Sequence, residues 1–78
     1  LNLCRNRLTK LPETISKLTD LEELLLAYNP KLGIKGLPSS LWGMSNLLNL
    51  NLCYCGLTSV PEEIGNMASL RTLYLGYN

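Results

Sequence analysis

Apolar residues recur along this chain in two alternating rhythms. In Leu24-Leu25-Leu26, Leu50-Asn51-Leu52 and Leu73-Tyr74-Leu75 the flanking leucines stand two apart. That spacing places both on one face of an extended strand and the residue between them on the other. In Ile15 and Leu18, Leu41 and Met44, and Ile64 and Met67 the apolar residues stand three apart. This is the spacing of a short helical turn with one inward face, and it leaves Glu13, Thr14 and Lys17, or Glu62, Glu63 and Asn66, toward solvent. Pro12, Pro38 and Pro61 precede these turns and are placed like first-turn prolines that open a short helix or 3₁₀ segment.

The two rhythms are halves of one repeating unit. Leu21 to Asn29, Leu47 to Cys55 and Leu70 to Asn78 all read L-x-x-L-x-L-x-x-N/C, and Leu1 to Asn6 is a truncated copy of the same string. Equivalent leucines Leu1, Leu24, Leu50 and Leu73 lie 23, 26 and 23 residues apart, so the second unit carries three extra residues. A period of this length is the signature of a stacked repeat architecture. The chain divides into a partial copy at 1–20, repeats at 21–46 and 47–69, and the start of another at 70–78.

This string, with the 23-residue L-x-x-L-P-x-x-I/L-x-x-L half, resembles the leucine-rich repeat family over the whole chain. Within the family it is similar to the repeats of Ras-binding scaffolds, plant Ras-group proteins, Roco proteins and polarity scaffolds. The resemblance implies an α/β solenoid, a right-handed superhelix bent into a horseshoe arc. Parallel strands line its concave face, and short helical or 3₁₀ segments its convex face. It also implies that Asn6, Asn29, Cys55 and Asn78 form an inward ladder bonded to the turn backbone, as buried polar groups must be paired. Each coil is a wedge with half a core, so neighbours must cover its two sides. The chain is therefore expected to be a fragment of a larger protein with further repeats at both ends.

Charge and chemistry narrow the function. Seven basic residues against six acidic give a net charge of +1. Lys and Arg form no run in the sequence, which argues against nucleic acid as a partner. The longest apolar run, Leu24 to Tyr28, is far too short to span a bilayer, so no membrane insertion is expected. With no histidine, Cys-His and Ser-His-Asp arrangements are excluded within these residues, and neither an enzyme nor a cofactor or metal site is expected. Cys53 and Cys55 stand two apart on a strand and point to opposite faces, which does not suit a metal or redox pair. Three cysteines make no disulfide framework and favour a reducing, cytoplasmic setting. The alternative is extracellular, because Ile34-Lys35-Gly36-Leu37-Pro38 echoes plant receptor ectodomains.

What remains is surface. The outward strand positions, Glu23, Leu25 and Ala27, Asn49, Asn51 and Cys53, Thr72, Tyr74 and Gly76, define a concave face that is almost uncharged. Beside it Arg5, Tyr28, Tyr54 and Tyr77 form a column whose rings should stack at about the 5 Å strand spacing. These rings either pack to shield the ladder or serve as binding anchors. The candidate partner-binding set is Glu23, Leu25, Tyr28, Asn49, Asn51, Tyr54, Thr72, Tyr74 and Tyr77. The three extra residues in 30–36 should bulge from the rim, with Leu32 or Ile34 supplying a core residue, and Trp42 should lie half exposed on the convex side. The leading reading is a protein-binding module of a cytoplasmic scaffold, with a small GTPase or signalling protein as partner. A receptor's sensing segment and the regulatory repeats of a multidomain enzyme are the alternatives.

Overall fold

A computed structural model describes residues 1–78. Three strands, β1 (Glu23–Leu25), β2 (Asn49–Asn51) and β3 (Thr72–Tyr74), pair in parallel in sequence order to form an open sheet. The register is that of the repeat: Leu24 stands opposite Leu50 and Leu50 opposite Leu73. Asn2 makes an isolated parallel bridge to Leu25, extending the ladder into the first coil.

The return path of each coil is 3₁₀. Helices η1 (Glu13–Lys17), η3 (Ser39–Gly43) and η4 (Glu62–Asn66) line up across the coils, while η2 (Ile34–Gly36) is an additional turn in the stretched unit. Their i to i+3 bonds, such as Ile15 N to Pro12 O at 3.1 Å, bring residues three apart onto the same side. The prolines do not occupy the first helical position. They sit one residue earlier, as extended N-caps with ψ near 150°, because a five-residue 3₁₀ segment starts from an extended approach.

The core lies between sheet and helices. Leu24, Leu26, Leu41, Leu47, Leu50 and Leu52 are completely buried, and the middle coil is closed on both sides. The outer coils are not. Leu18, equivalent to the buried Met44 and Met67, is 47% exposed because no coil covers its side of η1. Val60, equivalent to the buried Leu11 and Leu37, is exposed on the opposite side of the stack.

Two further expectations need correction. Trp42 is 6% exposed and belongs to the core cluster. Its equivalents in the flanking coils are the small Ser16 and Gly65, so the indole folds down over the core without competing with neighbouring side chains. The extra residues do not bulge, since Gly36 is buried, although Leu32 does supply the core residue expected of this stretch. Gly33 N donates to Cys55 O at 2.8 Å and Leu11 N donates to Gly36 O at 2.7 Å, tying the insertion to the coils on either side. A Cβ on Gly36 would stand 2.6 Å from Thr9 O, so only glycine permits that approach.

Candidate functional site

The open face of the sheet carries the residues between the core leucines. The register aligns Glu23, Asn49 and Thr72 in one row across the strands, and Leu25, Asn51 and Tyr74 in the next. Glu23 is exposed, Leu25, Asn49, Asn51 and Thr72 are half-buried, and Tyr74 is 55% exposed. Asn51 is partly committed already. Its Oδ1 accepts the Cys53 N–H at 3.0 Å, and Asn2 does the same for Cys4, so these amides close Asx turns at the strand end. The outward row that follows is less accessible than its period suggests, because Ala27 is buried between Cys4 and Cys53.

Beyond the strand the backbone turns sharply. Arg5, Tyr28, Tyr54 and Tyr77 all adopt left-handed conformations, with φ of 58°, 63°, 53° and 60°. A non-glycine residue there is disfavoured by about 1 to 2 kcal/mol. Bonds to the next coil fix the first three turns in place: Arg5 N to Ala27 O, Tyr28 N to Cys53 O and Tyr54 N to Gly76 O, at 2.9 to 3.1 Å. Four identical turns therefore present their side chains in register. Tyr28 and Tyr54 stack with ring centroids 4.6 Å apart, and Tyr54 and Tyr77 at 4.4 Å, with planes 14° and 13° from parallel. The Arg5 guanidinium covers the other face of Tyr28, 4.5 Å from its centroid. Each aromatic pair contributes about 0.5 to 1.5 kcal/mol, which offsets part of the backbone cost. The faces of Tyr28 and Tyr54 are thus used within the column, and their edges and hydroxyls are what a partner meets.

One residue further on, the chain turns inward. Asn29 is completely buried; its Nδ2 donates to Leu26 O at 2.7 Å and Leu3 O at 3.0 Å, and its Oδ1 accepts the Leu8 N–H. Asn78 accepts the N–H groups of Cys55 and Leu57 and donates to Leu52 O and Leu75 O. Asn6, in the first coil, is exposed and bonds only within its own turn, to Leu3 O and Cys4 O. Cys55 fills the remaining position, and its thiol donates to Leu26 O at 3.1 Å. Burial pushes that thiol above its ordinary pKa, against a lowering by hydrogen bonding from the Asn29 backbone. Every buried side-chain nitrogen and oxygen has a partner. No group of three or more His, Cys, Asp or Glu residues converges to hold a metal ion, and no helix is long and apolar enough to cross a membrane.

The sequence pattern placed Arg5 in the column but not in the candidate set. Its contact with Tyr28 makes it part of the stack, and its equivalence to Tyr28 was the available signal.

Parallel strands on one side, 3₁₀ turns on the other and a polar ladder at the strand exit define a stacked-repeat protein whose units share one core. The Leucine Rich Repeat family model matches residues 1–18 and 46–67, and the chain belongs to that family. The segment between the two matches contains the stretched unit. No curated protein and no solved structure matches the chain.

Proposed function

We propose that this chain is a protein-recognition module that binds through the open face of its sheet. Leucine-rich repeats generally mediate protein–protein interaction. The observation that carries the finer reading is the row Leu25, Asn51 and Tyr74: apolar, amide and aromatic side chains held side by side on paired strands. Tyrosine on a rigid support loses little rotamer entropy on binding and is enriched at interface hot spots. Because the coils are wedges with strands on one side and 3₁₀ turns on the other, the stack is read as an arc, a right-handed superhelix with this row on its concave side. The partner is read as a folded signalling protein, a small GTPase foremost, on the resemblance to scaffold repeats. Three free cysteines support a cytoplasmic setting, and the lack of histidine supports a non-catalytic role.

A photo-cross-linking amino acid at exposed Glu23, on the same face with Tyr74 intact, tests the reading. It is expected to capture one discrete protein, while the same group at exposed Asn66 on η4 captures none. Tyr74→Ala should lose that partner without a change in melting temperature. Equal labelling from both positions would remove the face assignment.

A further inference from the structure

We propose that the flank just beyond the strand exits docks an Asp/Glu-rich segment of a protein partner. The proposal rests on the protein-recognition reading and adds a second, electrostatic contact beside the open face.

The fold sorts charges that are dispersed in sequence. Between the strand exits and the 3₁₀ helices, in 4–12, 27–38 and 53–61, lie Arg5, Arg7, Lys10, Lys31 and Lys35 and no carboxylate. All six carboxylates fall elsewhere, at Glu13, Asp20, Glu22, Glu23, Glu62 and Glu63, where only Lys17 and Arg71 oppose them. A net charge of +1 thus conceals a segregation, with the strand-exit flank purely cationic and the carboxylates spread over the rest of the surface. The five flank cations are all exposed and belong to the first two coils, whereas the third coil's flank, with Gly56, Thr58 and Ser59, is neutral.

Backbone bonds bring the two cationic segments together. Leu8 N donates to Asn29 Oδ1 at 3.1 Å, which sets Arg7 beside the Asn29–Lys31 turn. The Leu11–Gly36 bond sets Lys10 beside Lys35. The same two lysines line an open groove of about 710 Å³ with Pro12, Pro38 and Ser39, and Glu13 marks the end of it. The insertion matters here: folded inward at Leu32 and Gly36, it leaves Lys31 and Lys35 exposed on a pinned backbone.

The chemistry of the patch selects among anions. Three of its cations are lysines, point charges suited to separate carboxylates, whereas bidentate recognition of a phosphate favours converging guanidinium forks. Arg5 already lies on Tyr28, leaving Arg7 as the flank's one unstacked guanidinium. Single-stranded nucleic acid would need aromatic faces to stack on beside the cations, and those of Tyr28 and Tyr54 are occupied by the column itself, while the exposed Tyr77 ends the column on the side away from Arg5.

The test uses the full chain and a fluorescein-labelled probe of about eight alternating Glu and Ser residues, roughly 26 Å when extended, comparable with the 25 Å longest dimension of the molecule. Fluorescence anisotropy should show binding that weakens steadily from about 0.05 M to about 0.5 M salt. Lys10→Glu/Lys31→Glu/Lys35→Glu should weaken it by about tenfold or more. The conservative Lys→Arg triple should retain it, and Lys17→Glu/Arg71→Glu should leave it little changed. Absence of binding, equal binding to the reversal triple, or tighter binding of a single-stranded oligonucleotide or a phosphatidylserine vesicle would each overturn the proposal. Tyr74→Ala should leave the probe bound, so failure of the flank and failure of the face are separate outcomes.

Discussion

Tyr28 and Asn29 are neighbours in sequence and opposites in environment, and the same holds for Tyr54 and Cys55. The outer residue of each pair is exposed, left-handed in backbone and stacked on its equivalents in the next coil. The inner residue is buried and bonded to backbone across the coil boundary. A single left-handed residue makes the difference, because it reverses the chain and throws successive side chains to opposite sides. The inner column therefore holds the coils together, while the outer column costs backbone energy and returns part of it as stacking. Stability should depend on the two unequally.

The largest effect is expected at Asn29. Replacement by Ala leaves the Leu8 N–H without a partner and removes one of the two bonds to each of the Leu3 and Leu26 carbonyls, which keep Asn6 and the Cys55 thiol. With one donor left unsatisfied at about 1 to 3 kcal/mol and two further bonds lost at about 1 kcal/mol each, Asn29→Ala should destabilise by about 3 kcal/mol or more in urea unfolding. A loss below about 1 kcal/mol would mean that water replaces the ladder freely, and the contrast between the columns would collapse.

Gly56 probes the step after the ladder. Its φ is 71° and a Cβ there would run into Pro30 O, so Gly56→Ala meets both a disfavoured conformation and a backbone clash. A loss of about 2 to 3 kcal/mol is expected. Measurement of a neutral or stabilising effect would show that the insertion is not pinned against this coil.

Cys55 sharpens the comparison through pH. Its folded pKa is raised by burial above the ordinary thiol value of 9.0, so the folded state holds the proton longer than the unfolded chain does. The stability associated with the protonated thiol is thus fully present below pH 9.0 and declines as pH rises toward the folded value. Cys55→Ser should flatten that alkaline decline. In the native protein, iodoacetamide should label the half-buried Cys4 and Cys53 before Cys55; equal labelling of all three would contradict the closed ladder.

Much of this contrast was legible in sequence. The strand period, the 23-residue unit and the ladder positions follow from side-chain spacing, which survives without knowledge of tertiary contacts. What escaped depended on neighbours in other coils. Leu18 and Val60 match buried positions in the pattern, yet each lies on the uncovered side of an outer coil. Trp42 was placed by its own spacing, although the small residues beside it decide its burial. The insertion resembled a rim bulge because nothing local reveals that Gly36 lies against Thr9 or that Gly33 reaches Cys55. The collected charge of Arg7, Lys10, Lys31 and Lys35 was hidden for the same reason, since these residues form no run along the chain.

The smallest expected effect separates the two energies inside the outer column. Tyr54→Ala removes two stacked pairs but leaves a left-handed residue at φ near 53°. It should cost about 1 to 3 kcal/mol. Tyr54→Asn removes the same rings, yet asparagine tolerates the left-handed region better than other residues with a Cβ. Its cost should therefore be smaller, by about 0.5 kcal/mol, in paired urea titrations. If the two variants are equally destabilised, backbone strain contributes nothing to the balance and stacking alone accounts for the tyrosines' effect on stability. If Asn is the worse of the two, the turn is not strained at Tyr54, and the account of why rings occupy this column fails.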